Sequence, residues 1–396
     1  MTKAVESLFG QYGETDPYAL YRRLREHGPV HWDPWMRTWI VLDHEEITRL
    51  SKDPRLSGAR IEQFYEQLPD EARTGLATLK NALEPMMLFT EPPRHTRLRQ
   101  LLRPGLTPRF VKEVREVIAD RVESLLDAAA ARGGMDVIAD FSEPLTRDVI
   151  GQLAGVPDRG AHLLESWQGL LHEFFTQSRR EVPRVTALRG LFDEGAQARR
   201  DGTGTDLFTR MVSGQLARDD YTEDEVFANF VLLIDAGQAT TTHLIGNAVL
   251  ALLEHPDQQR LLRSRPELAA NAAHEFLRYD SSVQFTSRVA LEDLEIAGHH
   301  VERGQSVALV LGAGNRDPKR YTDPDRLDVT RKAHDQLSFG HGIHYCLGAS
   351  LALAEIEIAV SRLLERFASI ELLDDAPVWL ESINFRFLRR LRIGVR

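Results

Sequence analysis

Hydrophobic positions recur every three or four residues along most long segments of the chain, a spacing typical of helices that bury one face. This period predicts helices over 109–132, 143–155, 185–200, 222–255, 257–263, 266–279 and 349–368. Short alternating or apolar runs predict strands at Val30–Trp32, Trp39–Leu42, Ser287–Ala290, Leu294–Ile296 and Val307–Val310. We therefore expect a mainly α protein with small β-sheets.

Glycine-rich stretches predict loops between these elements. They lie at Gly133-Gly134, at residues 200–204 and at Gly312-Ala313-Gly314. The chain has no internal repeat at the period of a solenoid or propeller, and no Gly/Ser-rich or Pro-rich linker divides it. By length, two domains are the first expectation, and one large domain over residues 1–396, in which a cofactor extends the core, is the alternative.

The predicted helix over 222–255 is unusually long, about 50 Å at ~1.5 Å per residue. Thr222 and Glu225 form a capping box at its start, and Pro256 follows its end. It is apolar almost all round before Asp235, which predicts a central position. Its middle contains residues that form helices poorly, which points to function, unless the threonines merely bond back to carbonyls and bend the helix. Gly237, Thr240, Thr241 and Thr242 are such residues, and Asp235 and Gln238 belong to the same cluster.

Composition and charge narrow the functional classes. The 396 residues have a net charge of −10, which argues against general affinity for nucleic acid or an anionic membrane. No apolar run reaches the ~18 residues of a transmembrane helix, and Met1–Tyr18 does not resemble a signal peptide. One cysteine cannot form an internal disulfide. We expect a cytoplasmic protein.

The only cysteine, Cys346, lies in a glycine-rich segment that runs from Phe339 to Gly348. Glycines allow a tight turn, and the N-terminus of the helix that follows favours the thiolate. Zinc fits poorly because no second cysteine pair exists, whereas thiolate ligation of haem iron is known chemistry. The alternatives are a buried apolar cysteine and a nucleophile with His344 as its base.

This segment resembles the haem-binding loop of the cytochromes P-450, since its Phe, Gly, His and Cys residues fall on the positions of that motif. The resemblance covers nearly the whole chain. It implies one large P-450 fold that encloses haem b (iron protoporphyrin IX), with Cys346 as the iron ligand. It also implies a structural network in which Glu275 pairs with Arg278, three residues on, and with Arg331.

Further haem contacts follow from the resemblance. The segment from Pro92 to Arg99 resembles the helix that the family places over one haem edge. His95 and Arg99 lie four residues apart on that helix, so both can reach the propionates. The other expected propionate contacts are Arg288, His344 and Gln336. At the last position the family usually has a histidine, and Gln336 can donate a hydrogen bond but carries no charge.

The run from Ala236 to Thr241 resembles the family's oxygen-side helix segment. The resemblance implies that Gly237 leaves room for dioxygen and that Thr240 is the alcohol that steers protons. The family's acid is replaced by Ala239, which cannot relay a proton. Asp235, one turn earlier, can serve as a substitute donor or as a substrate anchor. A polar group of the substrate or ordered water could equally supply the proton, or the chemistry could avoid proton-coupled cleavage.

By the same resemblance, a mostly apolar small molecule is the expected substrate. The residues expected to contact it are Met87, Leu88, Leu232, Asp235, Ala236, Val283, Phe285 and Phe385. The chain has no flavin or iron–sulfur segment, so a ferredoxin-type donor is expected. A basic stretch that would suit an acidic ferredoxin contains Arg94, Arg97, Arg99, Arg103, Arg109, Lys112 and Arg115.

Together these features predict a haem-thiolate monooxygenase that inserts one oxygen atom of O2 into its substrate. The replacement of the acid by Ala239 leaves two alternatives open, a reductase of the nitric oxide type and peroxide-driven oxidation. A haem-based sensor or carrier is a third class, which Thr240 and Gly237 argue against.

Overall fold

The computed structural model describes residues 7–8, 16–155, 170–199, 206–213 and 220–396, and only the backbone of residues 108 and 170–181. Helices dominate it, as the sequence predicts. The α-helices are α1 Pro17–Arg25, α2 His44–Leu50, α3 Ile61–Glu66, α4 Asp70–Leu83, α5 Arg94–Leu102, α6 Pro108–Arg132, α7 Glu143–Ala154, α8 Leu170–Gln197, α9 Leu207–Val212, α10 Glu223–Glu254, α11 Pro256–Ser264, α12 Ala269–Tyr279, α13 Leu311–Gly314 and α14 Ala349–Arg366. Short 3₁₀ turns include Met87–Phe89 and Gly342–His344.

The strands are short. They are β1 Val30–Asp33, β2 Thr38–Val41, β3 Leu56–Ser57, β4 Gly134–Asp136, β5 Thr286–Ala290, β6 Leu294–Ile296, β7 His299–Val301, β8 Ser306–Leu309, β9 Ile370–Leu372, β10 Val378–Trp379, β11 Leu388–Arg390 and β12 Arg392–Val395. The largest sheet has the order β1-β2-β8-β5-β3, and β4-β12-β9 form a three-stranded sheet. Two hairpin-like pairs, β6-β7 and β10-β11, complete the described sheets.

Of two predicted loops, one is wrong at its second glycine, since Gly133 lies in a turn, and the other is wrong throughout. Gly134 begins strand β4, where a Cβ atom would lie 2.6 Å from the carbonyl of Ile393, so the glycine lets β12 approach closely. Gly312 and Gly314 belong to the short helix α13, and a Cβ on Gly314 would lie 2.8 Å from Ile47. Tertiary packing, which local sequence does not show, selects the conformation at both places. The third predicted loop, 200–204, lies outside the described residues.

The chain divides into two compact units. Unit 1 comprises Met1–Leu56, Arg115–Leu145 and Thr240–Arg396, and unit 2 comprises Ser57–Val114 and Thr146–Ala239. In unit 1 the large sheet is buried on both faces. Its paired strands β2 and β8 show this, because Val41 and Leu309 join one apolar cluster while their neighbours Ile40 and Ala308 join another.

Unit 2 has an aromatic core supplied by three of its helices. Phe208 of α9 stacks on Phe230 of α10 with ring centroids 4.2 Å apart, and Phe192 of α8 lies 5.8 Å from Phe230. Large rings at such distances contribute dispersion and electrostatic stabilisation beyond their apolar area.

The start of α10 confirms the predicted capping box. The Thr222 hydroxyl accepts the Glu225 N–H at 3.2 Å, and the Glu225 carboxylate accepts the Thr222 N–H at 3.1 Å. The helix then continues to Glu254, shortly before Pro256, as predicted. Within the described ranges, no helix is long and apolar enough to cross a membrane.

Candidate active site

The cysteine lies in a tight turn that ends shortly before helix α14. The Cys346 N–H donates to the Phe339 carbonyl at 2.9 Å, and Gly340 and Gly342 take positive φ values of 66° and 72°. A Cβ on Gly342 would lie 2.5 Å from the Ser51 carbonyl, so only glycine lets this turn rest against the end of α2. A Cβ on Gly348 would meet no atom within 4 Å. The backbone at Gly348, two residues after the cysteine, therefore borders open space.

Polar side chains hold the backbone that leads into this turn. The Asn315 amide donates to the Ser338 hydroxyl at 2.9 Å, and its oxygen accepts the Leu337 N–H at 2.7 Å. The Gln336 oxygen accepts the Ser338 N–H at 2.6 Å. Gln336 thus uses its acceptor end within the turn. The predicted bond to a propionate would need its amide nitrogen and stays a prediction.

The predicted network behind this turn is present. Arg278 makes two bonds to Glu275, at 2.7 and 2.8 Å, and the side chains of both residues are completely buried. Arg331 adds a third bond to the same carboxylate at 3.2 Å. Arg278 also donates to the carbonyls of Asn315 and Pro324, at 3.0 and 2.7 Å. One carboxylate thereby connects α12 to the segments that lead to the cysteine turn.

Arg288 lies in β5 and is buried, with 6% of its surface exposed. Its guanidinium donates to the Thr286 hydroxyl at 3.0 Å and to the Ser287 carbonyl at 2.9 Å. Both of these acceptors are neutral, and they help to orient the guanidinium. A buried cation held in this way suits an anionic ligand such as a propionate.

In unit 2, α5 carries two further predicted propionate contacts. His95 is buried with 2% of its surface exposed, and Arg99 is half-buried one turn later. Spacing of four residues places both on one face of α5. The structure therefore groups His95 and Arg99 in unit 2, and Arg288, Gln336, His344 and Cys346 in unit 1.

The predicted docking patch is smaller than the sequence indicates, because most of its cations pair with carboxylates. Glu225 binds Arg94 and Arg97, with shortest distances of 2.9 and 2.7 Å. Arg109 pairs with Glu113 at 2.8 Å, and Arg115 pairs with Glu357 at 2.7 Å. Arg103 and Lys112 are exposed and make no ion pair within the described part of the chain.

Helix α10 has one accessible face. From Glu225 to Leu252 every residue is buried except Ala236, Gly237 and Thr240. These three lie at i, i+1 and i+4, so they share one side of the helix. They include the predicted oxygen-side glycine and threonine, which the structure therefore leaves accessible in an otherwise buried helix.

Packing and burial describe the residues on and beside this face. A Cβ on Gly237 would lie 2.5 Å from the Ile150 side chain of α7, so the glycine permits close helix packing. That it also leaves room for dioxygen stays a prediction. Asp235 and Ala239 are buried, with 3% and 7% of their surfaces exposed. Asp235 makes a polar interaction of its own in the structure.

The predicted substrate-contacting residues also divide between the units. In unit 1, Val283 pairs with Phe385 in an isolated β-bridge, and Phe385 stacks on Phe387 at 4.8 Å. Phe285 is buried in the apolar cluster on one face of the large sheet. In unit 2, Met87 and Leu88 are half-buried, whereas Leu232 is buried.

Sequence reasoning missed one polar contact to this segment. The Asn229 side chain of α10 accepts the Met87 N–H at 2.8 Å and donates to the Pro85 carbonyl at 3.0 Å. An asparagine within an apolar helix segment is the signal that could have found it, because a buried amide is nearly always hydrogen-bonded.

Comparisons with known proteins agree with this geometry. The family model for cytochrome P-450 matches residues 161–384. The chain is 37% identical to the biotin biosynthesis cytochrome P-450 of Bacillus subtilis (strain 168), over 96% of each chain. It is 35% identical to the cyclomarin C epoxidase CymV of Salinispora arenicola (strain CNS-205), over 95% of each chain.

A solved structure is similar over the same extent. The crystal structure of P450BioI in complex with an acyl carrier protein ligated to hexadec-9Z-enoic acid matches with a TM-score of 0.89 and 36% identity. The match covers 96% of this chain and 99% of that one. With the cysteine turn, the buried Glu275 network and the accessible face of α10 already described, these matches establish that the chain belongs to the cytochrome P-450 family of bacterial monooxygenases.

Proposed function

We propose that the chain, as one domain over 1–396, is a haem-thiolate monooxygenase that inserts one oxygen atom of O2 into a mostly apolar small molecule. One observation carries this proposal. Ala236, Gly237 and Thr240 form the only accessible face between Glu225 and Leu252 of α10. A helix that is buried elsewhere and accessible at a hydroxyl is suited to oxygen chemistry away from bulk water. The epoxidase relative favours oxygen insertion over the reductase alternative.

The residues present fit a haem b group. Cys346 supplies a thiol, the backbone at Gly348 borders open space, and Arg288 supplies a buried guanidinium that donates to the Thr286 hydroxyl and the Ser287 carbonyl. In this proposal Cys346 ligates the iron, and the propionates are bound by His95, Arg99, Arg288, Gln336 and His344. When bound, the haem supplies the iron centre at which dioxygen is activated.

The proton supply is the least usual part of the proposed mechanism. Thr240 holds a proton at its Oγ1 on the accessible face of α10, whereas the Ala239 methyl group can hold none. We propose Asp235 as the group that replaces the family acid, by donating a proton or by binding a polar group of the substrate. Wild-type coupling of electron use to product in Asp235→Ala would leave water or the substrate as the proton source.

The proposed substrate-contacting residues are those that the family resemblance implies. They are Met87, Leu88, Leu232, Asp235, Ala236, Val283, Phe285 and Phe385. Their apolar character, broken by one acid, suits an apolar molecule with a polar substituent. The acyl group carried in the P450BioI complex supports a first trial with long-chain fatty acids, both free and bound to an acyl carrier protein.

We propose a ferredoxin-type protein as the electron donor and the cytoplasm as the location. The exposed cations Arg103 and Lys112 support the choice of an acidic partner, because opposite charges accelerate association.

A carbon monoxide spectrum tests the central claim. Reduced wild-type protein with carbon monoxide should show the red-shifted Soret band of a thiolate ligand, and Cys346→Ser should lose that band while retaining the fold by circular dichroism. Ser338→Ala, close to the same turn, is the control and should keep the band. A thiolate-type band in Cys346→Ser would refute the proposal.

A further inference from the structure

Asn229 is a completely buried amide on α10 that bonds to the backbone before α5. Its nitrogen donates to the carbonyls of Pro85 and Glu225, at 3.0 and 2.8 Å, and its oxygen accepts the Met87 N–H at 2.8 Å. Two of these three bonds go to the turn that leads into Met87–Phe89. Because the amide is buried and paired at both ends, displacing this turn would leave polar groups unsatisfied.

Glu225, one turn earlier on the same helix, binds α5 itself. Its carboxylate accepts two bonds from Arg97, at 3.0 and 2.7 Å, and one from Arg94, at 2.9 Å. The Tyr221 hydroxyl adds a bond to the Arg97 carbonyl at 2.9 Å, and the Arg97 guanidinium lies 5.2 Å from the Tyr221 ring centroid. Burial alone would raise the pKa of Glu225, but these arginines and the Thr222 N–H lower it.

Asn229 and Glu225 lie four residues apart and therefore share a helix face. From that face Asn229 binds the start of the stretch 85–97, and Glu225 binds its end. Between those ends Glu91 accepts bonds from the Ser57 hydroxyl at 3.0 Å and the Gly58 N–H at 2.6 Å. All of these residues belong to unit 2. The stretch contains Met87 and His95, which the proposed function places at the substrate and at a propionate.

We propose that Asn229 and Glu225 are positioning residues with separate tasks, an inference that rests on the proposed function. Asn229 positions the turn at Met87 and Leu88, and thereby the shape of the substrate pocket. Glu225 positions α5, and thereby His95 and Arg99 at the haem edge. Neither side chain contacts substrate or haem in this proposal; each acts through the backbone or the arginines that it binds.

The affinities of two azoles distinguish a change in the shape of the substrate pocket from a change in binding to the iron. Both imidazole and 4-phenylimidazole bind haem iron through a nitrogen. The phenyl ring of the second must also fit into the proposed substrate pocket. In the haem-loaded protein, Asn229→Ala should weaken 4-phenylimidazole binding about tenfold and change imidazole binding by less than about twofold. The control is Asn271→Ala, which also removes two bonds from a side-chain amide to backbone carbonyls, those of Val329 and Arg331 at 2.8 and 2.9 Å. It should leave the ratio of the two affinities unchanged.

Haem transfer to apomyoglobin tests the second task. Glu225→Gln should accelerate transfer about tenfold, whereas Asn229→Ala should change it by less than about twofold. The control is Asp374→Asn, since Asp374 is likewise shared by two arginines, Arg390 and Arg392, at 3.4 and 2.5 Å. It should release haem at the wild-type rate.

Several outcomes would overturn the inference. One is an unchanged azole ratio in Asn229→Ala, and another is equal haem release in Glu225→Gln and Asp374→Asn. If Asn229→Ala does not fold, Asn229→Asp tests the inference instead. This variant keeps the oxygen that accepts the Met87 N–H but loses the donor to the Pro85 and Glu225 carbonyls. In that variant, hydrogen–deuterium exchange of peptides over 83–97 must rise, and protection equal to wild type would refute the inference. Failure of the proposed function is distinct, since wild-type protein would then lack the thiolate-type carbon monoxide band.

Discussion

Glu275 in unit 1 and Glu225 in unit 2 are each shared by two arginines, but the solvent exposure of those arginines differs. The side chains of Glu275 and Arg278 are both 0% exposed, and that of Arg331 is 15% exposed. The Glu225 side chain is 4% exposed, whereas those of Arg94 and Arg97 are 41% and 34% exposed. The same chemical group therefore sits in two electrostatic environments.

The difference in exposure determines how strongly the arginines of each cluster depend on their carboxylate. Arg278 directs its other bonds to backbone carbonyls of Asn315, Pro324 and Arg326, so its charge depends entirely on Glu275 for compensation. The arginines at Glu225 still contact water, which would solvate them if the carboxylate were lost. Breaking the pair of Glu275 and Arg278, which is fully buried, should therefore cost more than breaking the half-exposed cluster at Glu225.

The largest effect should follow from neutralising the buried cluster. Glu275→Gln leaves the Arg278 charge buried and uncompensated, which should cost about 3–5 kcal/mol in the free energy of unfolding. Chemical denaturation and haem content at pH 7 measure the loss. Glu357→Gln removes a partly exposed carboxylate that pairs with Arg115, and this control should cost less than about 1 kcal/mol. Equal losses in the two variants would show that burial does not govern the difference.

A smaller, pH-dependent effect should follow at Glu225. Because its pKa in the folded protein is lower than the ordinary 4.5, its stabilisation is fully present above that value and disappears as the pH falls through the lowered pKa. Glu225→Gln should cost about 1–2 kcal/mol at neutral pH, an amount reduced by the exposure of both arginines.

The measurement compares denaturation midpoints of wild type and Glu225→Gln from pH 7 to pH 3. The difference between the two proteins should be constant near neutrality and shrink in the acid range. A difference that grows as the pH falls would contradict the assignment, because it would mean that protonation of Glu225 stabilises the folded state.

How far the sequence predicts these clusters depends on the distance along the chain between the partners. Glu275 and Arg278 are three residues apart on one helix, so spacing alone predicts their pair. The capping box at Glu225 is local, and spacing predicts it as well. Its bonds to Arg94 and Arg97 cannot be predicted in this way, because about 130 residues separate the partners and exposed arginines look alike in sequence.

The oxygen-side segment shows the same limit. Its residues can be found from their unusual composition and from the family motif. The sequence cannot predict which of these residues are accessible, because the burial of Asp235 and the accessibility of Ala236 depend on neighbouring helices. At Gly237, likewise, only the structure shows that Ile150 occupies the space where a side chain would lie.

The smallest effect on stability should come from the cations of the basic stretch that pair with no carboxylate in the described residues, Arg103 and Lys112. Reversing both to glutamate should change the free energy of unfolding by less than about 0.5 kcal/mol, since no ion pair or buried contact is lost.

If they bind an acidic ferredoxin, the same double variant should slow reduction about tenfold at low ionic strength and little at high salt. The control reverses Arg37 and Arg303, exposed cations of unit 1, and so changes the net charge equally. Stopped-flow reduction at two salt concentrations measures the rates. Equal slowing in the two double variants would show that net charge, rather than these two positions, guides the electron donor.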